Sequence, residues 1–412
     1  MIRTWNGGFL RRKRKLAAAL VAVAAVIAAG TGAEFRQPAG AGARAGEGSE
    51  LVPTAAAATS LKVMDWNIQG GNSSDGDAHW DSIVNTIAAE DPDIVTLQEV
   101  HNDKGHLVDG RPGINQYQTL LDTFPAYEGH FARSDTNAYG GSAGQLILSK
   151  YPINEKVSYT LPNDSSGAVD RSMGGVNIGV GGTAVRVYST HLSAGDGAAA
   201  VARREAQARY VLGKLPADKM TTPMLFTGDL NVRPDAAIRS WIAGAGWLDT
   251  WTQLNASTGA AVVTHPGSGD DARIDYVYGS GALDVSEART RTTTASDHRP
   301  VVIRVTVHSP SVARSGAVLA GADSLAGSAH VAVYSDAAAK LRVCDNKADG
   351  WGVRAYVYGK AGGPLVVTGQ DGAYADGCGM FDAAPGTATS PVVKVCLYKG
   401  GEEKDCRQKT IT

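Results

Sequence analysis

Six short apolar runs in this 412-residue chain stop at, or lie beside, side chains that coordinate cations or move protons. Asn67 closes "VMDWN", Glu99 closes "IVTLQE" and His191 follows "VRVYST". Asp229 and Asn231 follow "PMLFTG", Asp275 sits in "RIDYVY", and Asp297 with His298 opens "RPVVIRV". One polar residue at the end of an apolar run is ordinarily a cap or a turn former. Six such places, all drawn from Asn, Asp, Glu and His, form a chemical set. Carboxylate and amide oxygens are what a hard divalent ion such as Mg²⁺ prefers, with water completing its shell, and Asn67, Glu99 and Asp297 supply them. A cation on a phosphate oxygen offsets the charge that builds as water attacks. A His oriented by a buried carboxylate handles the proton that the water loses. The chemistry these residues suit is hydrolysis of a phosphate ester.

The elements that must position them follow from periodicity. "LKVMDWNI" and "DIVTLQEV" read as strands, and the amphipathic "WDSIVNTIAAEDP" between them reads as a helix that Pro92 ends. "QLILSKYPI", "TAVRVYSTHL", "MLFTGDLNVRPD", "RIDYVYG" and "RPVVIRVTV" continue the strands, with "AAAVARREAQARYVLGKL" as a second helix. Strands alternating with helices indicate a layered α/β domain over 60–308, in which strand ends line the crevice.

Taken in order, "WNIQGG", "LQEV", "STHLSA", "TGDLNVRPD", "RIDYVY" and "SDHRPV" resemble the motif series of the endonuclease/exonuclease/phosphatase superfamily, over roughly Ser60 to Val307. Its members include pancreatic-type deoxyribonucleases, abasic-site endonucleases, bacterial sphingomyelinases and inositol polyphosphate 5-phosphatases. Each motif alone is weak, and six in order are specific. The resemblance implies a four-layered α/β/β/α sandwich, two mixed β-sheets face to face with helices outside. It implies Glu99 as principal metal ligand, helped by Asn67 and Asp297, with Mg²⁺ as the cofactor and Mn²⁺ or Ca²⁺ as alternatives. His298 would work with Asp275 as the His/carboxylate pair, Asp229 would position or activate water, and Asn231 would bond a phosphate oxygen. His191 would contact the phosphate or assist the leaving group, and Arg171 resembles a phosphate-contacting arginine of the nuclease branches. Two departures bear on substrate: "HNDKGHLVDGRPG" after Glu99 follows no branch, and Gln145 stands where many members carry Asn.

Other features read as support. Arg203, Arg204 and Arg209 read as a solvated helix face. Trp66, Trp80, Trp241, Trp247 and Trp251 read as core, and His79, His101, His106 and His130 as surface or loop residues.

The rest of the chain bounds the setting. Arg11 to Lys15 before the apolar run Leu16 to Ala29 reads as a secretory signal over 1–33, followed by a low-complexity leader over 34–59. The run is shorter than the roughly 20 residues that cross a bilayer, so no membrane insertion is expected after cleavage. Losing 1–33 removes six cations and no acid, taking the formal charge from −2 to −8. An acidic protein grips phosphate backbones poorly, so a metal or a few local arginines must supply positive charge. "SPSVARSGAVLAGADSLAGS" reads as a linker over 309–329, and 330–412 as a small β module. All four cysteines lie in that module, which in an exported protein indicates two disulfides. The turn-like "LYKGGEEKD" favours Cys396 with Cys406, leaving Cys344 with Cys378. The expected protein is a secreted, monomeric, metal-dependent phosphodiesterase, foremost a nuclease on extracellular DNA or RNA. Its β module would bind a surface polymer or protein, or steady the enzyme. The alternatives are a phospholipid or inositol-phosphate hydrolase and a catalytically idle binding protein.

Overall fold

A computed structural model describes residues 59–71, 79–104, 114–164, 168–255, 262–267, 271–308, 312–320, 326–334, 339–345, 349–359, 361–371, 378–383 and 391–411. The expected export signal, and the leader up to residue 58, lie outside the described residues. From there the chain runs β1 (Thr59–Asn67), α1 (Trp80–Glu90), β2 (Ile94–Asn102), α2 (Gln116–Thr123), β3 (Glu128–Thr136), β4 (Ser142–Ser149), β5 (Ile153–Thr160) and β6 (Ser172–Val180). It continues through β7 (Thr183–His191), α3 (Ala198–Lys214), β8 (Met224–Asp229), α4 (Ala237–Gly244), β9 (Leu248–Asp249), α5 (Thr250–Asn255), β10 (Asp275–Gly279), β11 (Leu283–Thr290) and β12 (Val301–Val307).

Side chains alternate between the two faces of a strand, so one strand feeds two layers. Leu61 and Val63 of β1 and Ile94 of β2 meet Ile178, Val185, Val187, Leu225 and Val277 between two sheets. Met64, Trp66, Val95 and Leu97 point the other way, against Ile83 and Ile87 of α1 and Leu120 of α2. On the far side, Tyr188, Phe226, Tyr276 and Tyr278 are covered by Ala208 and Val211 of α3 and by Ile238 and Ile242 of α4. Each fully buried aliphatic or aromatic side chain contributes about 1.5–3 kcal/mol, which makes these three interfaces the main source of stability.

The sheets run β11-β12-β1-β2-β4-β3 and β5-β6-β7-β8-β10-β9. In each, one central pair is parallel, β1 with β2 and β7 with β8, and the neighbouring pairs are antiparallel. This is the four-layered α/β/β/α sandwich with mixed sheets that the motif series implied. Among the described residues no helix is long and apolar enough to cross a membrane. Trp66, Trp80 and Trp247 lie in the core as expected.

Helix α1 ends where its sequence says it must. Asp91 takes a left-handed conformation at φ 45°, its N–H bonds back to Ile87, and Pro92 follows. Its last residue, Glu90, is buried and receives Lys62 Nζ at 2.9 Å, Arg289 Nη2 at 2.5 Å and Arg291 Nη1 at 2.9 Å, clamping α1 to β1 and β11. The Arg289 hydrogen bonds lead in holding its carboxyl down to about 2, well below the usual carboxylate value. Because the folded state depresses this value, the stabilisation is fully present above about pH 4.5 and disappears as pH falls through the range down to about 2. With its arginine partners partly exposed, the contribution at neutral pH is on the order of 2 kcal/mol. Glu90→Gln is therefore expected to lower stability to chemical denaturation by about that amount at pH 7. The loss should shrink towards pH 2, and an equal loss at both extremes would show that charge is not the cause.

The C-terminal module holds β13 (Val312–Ala320), β14 (Gly327–Tyr334), β15 (Ala339–Asp345), β16 (Gly352–Tyr358), β17 (Leu365–Asp371), β18 (Gly379–Ala383), β19 (Val392–Lys399) and β20 (Glu402–Thr410). They form two antiparallel four-stranded sheets, β13-β14-β15-β18 and β17-β16-β19-β20. Val331, Leu341, Val343, Val353, Val357, Val393 and Val395 fill the space between them. Disulfides join Cys344 to Cys378 and Cys396 to Cys406. The stretch read as a linker, 309–329, is corrected here: β13 and the first residues of β14 lie within it. Its Gly, Ser and Ala residues give no alternating pattern, and its strand character comes from pairing along β14 rather than from its own propensity. The module docks on the first domain through Lys340, which pairs with Asp284, and through a small cluster of Met220, Ala282, Ala332 and Met380.

Candidate active site

The inner face of the sandwich changes character along its strands. β1 presents Leu61, Val63, Asp65 and Asn67, and β2 presents Ile94, Thr96 and Gln98. β7 presents Val185, Val187, Ser189 and His191, and β8 presents Leu225, Thr227 and Asp229. All are buried, and in each strand apolar side chains give way to hydrogen-bonding ones and, in three of the four, to metal-binding or titratable ones. In the middle zone Asp65 Oδ1 accepts from Thr96 Oγ1 at 2.7 Å and Gln98 Nε2 at 2.8 Å. Gln98 also reaches Ser189 Oγ across the gap at 3.1 Å. Burial, with a smaller push from Asp275, raises the Asp65 carboxyl to about 7.

At the end of the gap the two sheets share a polar cluster. Asn67 Nδ2 donates to Glu99 Oε1 at 3.2 Å and to Asp229 Oδ2 at 3.1 Å. Strand register places Asp229 opposite both His191 on β7 and Asp275 on β10. Burial first, then the charge of Asp275, pushes Asp229 up to about 7, against the pull of His298, the Asn67 amide and the Asn231 N–H. Asn231, at φ 52°, donates its N–H to Asp229 Oδ1 at 2.9 Å and holds Leu192 O through Nδ2.

The two histidines are tuned in opposite directions. His298 Nδ1 donates to Asp275 Oδ2 at 2.9 Å, while its Nε2 lies 3.8 Å from Asp229 Oδ2 and 3.9 Å from Asp297 Oδ1. Burial works against its charge, but Asp275, Asp229 and Asp297 outweigh it and lift the imidazolium to about 10. His191 has Arg171 Nη1 donating to Nδ1 at 3.0 Å and Asp229 Oδ2 3.3 Å from Nε2. Burial above all, then the positive charges of Arg171 and His298, keep it neutral, well below the usual imidazole value.

Glu99 does not close its strand as the sequence implied. β2 runs on to Asn102, and Glu99 sits in a break of the β2–β4 register at φ 60°. A bulge of this kind re-aims a side chain, here into the crevice, and a strained non-glycine backbone persists only where surroundings enforce it. Beside Glu99 lies a cavity of about 420 Å³ lined by His101, Tyr139, Gln145, Arg171 and His191 among others. Gln145 is buried at its floor, where Oε1 accepts from Ser134 Oγ at 3.0 Å and from Ser172 Oγ. A larger cavity of about 770 Å³ lies where the β module meets β9 and β11 and contains none of these residues.

Asn67, Glu99, His191, Asp229, Asn231, Asp275, His298 and Arg171 thus form one connected set. Asp297 joins it through His298 and through its N–H, which Gln69 Oε1 accepts at 3.3 Å. The half-exposed Glu99 carboxylate and the partly exposed Asp297 carboxylate offer oxygens of the kind a hard cation takes, while Asn67 turns Nδ2 towards Glu99 and its Oδ1 accepts from Gln69 N at 3.0 Å. Three residues behave otherwise than their sequence setting indicated. His101 lines the cavity beside Glu99. Arg204 is buried and ties the loop after His191 by donating to Ser193 O at 2.9 Å and Gly195 O at 2.8 Å. His265, which the sequence gave no reason to select, packs its ring edge on His298 at 4.7 Å and lies 3.9 Å from Asp297. It belongs to no strand, and its one sequence signal is nearness to "RIDYVY".

A crystal structure of an endonuclease/exonuclease/phosphatase from Beutenbergia cavernae DSM 12333 is 29% identical, with a TM-score of 0.63, covering 85% of this chain and 99% of that one. That coverage extends beyond the 60–308 domain, so the likeness takes in part of the C-terminal module. A family protein from Bacteroides vulgatus is 19% identical, TM-score 0.48, over 61% of this chain and all of its own, 100%. The human Nocturnin catalytic domain is 22% identical, TM-score 0.48, over 60% of this chain and 93% of its own. No curated protein matches the chain. The model of the Endonuclease/Exonuclease/phosphatase family matches residues 66–298, from the residue before Asn67 to His298, and this chain belongs to that family of hydrolytic phosphoesterases.

Proposed function

We propose that this chain is an exported, divalent-metal-dependent phosphodiesterase of nuclease type that cuts DNA or RNA outside the cell. The observation that carries the reading is the hydrogen-bonded cluster linking Asn67, Glu99 and Asp229 across both sheets to the Asp275–His298 pair. A cation held by Glu99, Asn67 and Asp297 would supply positive charge to a phosphate oxygen. The chain's own residues do the rest. His298, kept charged by Asp275, holds a phosphate oxygen through Nε2 by a charge-assisted hydrogen bond. Asp229, with a carboxyl near 7, takes a proton from the attacking water near neutral pH. Asn231 steers the water or a phosphate oxygen beside it. Arg171, whose buried Nε has no hydrogen-bond partner among the described residues, adds a second positive contact for phosphate. Neutral His191 spaces Arg171 from Asp229 and faces the leaving group. Two disulfides and the basic-then-apolar N-terminus support export. We assign the chain to act as a monomer, with the β module holding it to a surface polymer or protein.

The test is hydrolysis by purified protein, stripped with EDTA and reloaded with Mg²⁺, on plasmid DNA, RNA, sphingomyelin and a soluble inositol phosphate. Stripping is expected to lower the rate at least about 10³-fold, and Mg²⁺ to restore it, with nucleic acid the substrate consumed. Turnover of lipid alone would overturn the nuclease reading, and undiminished turnover in EDTA would overturn the metal.

A further inference from the structure

We propose that His265, Asp297 and His298 form a second cation site, for a first-row transition ion such as Zn²⁺ or Co²⁺, and that filling it shuts the active site. One ligand atom from each residue lies within 4.8 Å of the others. His265 Nε2 stands 3.9 Å from Asp297 Oδ2, and His298 Nε2 stands 3.9 Å from Asp297 Oδ1. Small side-chain rotations bring such atoms to the roughly 2.0–2.2 Å of a metal bond.

The three groups are already held. A metal-binding His characteristically donates its other nitrogen to a carboxylate, and His298 does so to Asp275. His265 is fixed by paired backbone hydrogen bonds with Ala272, both 2.9 Å. Next to it, Thr264 Oγ1 accepts from the N–H groups of Ile274 and Asp275, and Thr264 O accepts from Arg299 N at 2.6 Å. The loop carrying His265 is thereby tied to the two segments that carry Asp275 and His298. Asp297 is held by Ser296 Oγ at 3.3 Å. His265 and Asp297 are each about a third exposed, with side-chain exposures of 34% and 30%, so an ion has a path in from solvent.

The donor set decides the ion. Two imidazoles and one carboxylate suit first-row transition ions, whereas Mg²⁺ favours oxygen ligands and keeps its water. The carboxylate of Glu99 and the nitrogen donors His265 and His298 therefore sort two kinds of cation at one crevice. The carboxylates of Asp229 and Asp275 near His298 add favourable charge. A transition ion on His298 Nε2 displaces to solvent the proton that nitrogen otherwise carries and occupies the atom that faces the phosphate, which makes it an inhibitor of the Mg²⁺ enzyme.

The experiment titrates the metal-free full chain with Co²⁺, following absorption and calorimetric stoichiometry, in wild type, His265→Phe and Glu99→Gln. Phe keeps a ring against His298 while removing the nitrogen. No thiol competes, because the described cysteines are all in disulfides. Wild type and Glu99→Gln are expected to show a nitrogen-ligated Co²⁺, and His265→Phe to weaken it at least about 10-fold. In Mg²⁺-supported hydrolysis of bis(p-nitrophenyl) phosphate, each protein scaled to its own rate, His265→Phe should need at least about 10-fold more Zn²⁺ for half-inhibition. No nitrogen-ligated Co²⁺ in wild type, equal binding in His265→Phe, or loss in Glu99→Gln would each overturn the site. Unchanged Zn²⁺ sensitivity with Co²⁺ binding lost would overturn the inhibitory role. The binding arm is read without substrate, so the site stands or falls separately from the phosphodiesterase reading on which the inhibition rests.

Discussion

His298→Ala is expected to lower kcat/KM for phosphodiester hydrolysis by about 10³- to 10⁴-fold while leaving the domain folded. The carboxylates around the imidazole keep it positively charged: Asp275 on Nδ1, Asp229 and Asp297 around Nε2. Removing it leaves Asp275 and Asp229, both buried, without the cation between them. Transition-state charge on the phosphate then faces a negative wall. Asp275→Asn keeps the shape but no longer favours the imidazolium, and its loss should be large and fall mainly on kcat. Initial rates with Mg²⁺, together with matched thermal melts, read both variants. If folded His298→Ala retains more than about a tenth of wild-type kcat/KM, the His/carboxylate pair does not carry the reaction.

Much of this site is legible because the inter-sheet gap obeys the two-residue period of a strand. Leu61, Val63, Asp65 and Asn67 face one layer, as do Val185, Val187, Ser189 and His191. An apolar alternate series that turns polar towards the strand end announces where the core stops and the crevice begins. That reading located Asn67, His191, Asp229 and Asp275 on paired strands, and the parallel and antiparallel registers then bring His191 and Asp275 to Asp229.

Periodicity is silent where the backbone leaves the ladder. Glu99 faces the crevice because of a bulge with positive φ, and nothing in "LQEV" distinguishes a strand end from a bulge. His265 reaches His298 from a loop, and Arg204 turns inward from a helix whose other arginines answer exposed partners, Asp164 for Arg203 and Glu205 for Arg209. β13 is hidden for a related reason: it is a strand through its pairing with β14, and tertiary pairing supplies what local propensity does not.

Gly228→Ala should be the most damaging Gly→Ala change among the described glycines. Gly228 precedes Asp229 on β8, at φ 138°, a conformation that L side chains rarely adopt. An added Cβ would lie 1.9 Å from Thr190 O and 2.9 Å from its carbonyl carbon, both backbone atoms of the adjacent parallel strand. No side-chain rotation relieves such an overlap. β7 and β8 would have to part at the register step that sets His191 opposite Asp229, and Tyr276, paired with Gly228 from the other side, blocks retreat. The expected cost exceeds about 4 kcal/mol, read as failure to accumulate folded protein or a collapse in melting temperature. Gly213→Ala is the control. It lies within α3, and a Cβ there meets nothing within 4 Å among the described residues, so the methyl should be neutral or stabilise by up to about 1 kcal/mol. Equal melting temperatures for the two variants would mean that the β7–β8 contact is looser than its geometry indicates. The glycine in "TGDLN" would then be dispensable. A large difference would tie it to the strand spacing that puts Asp229 within reach of Asn67, His191 and His298 at once.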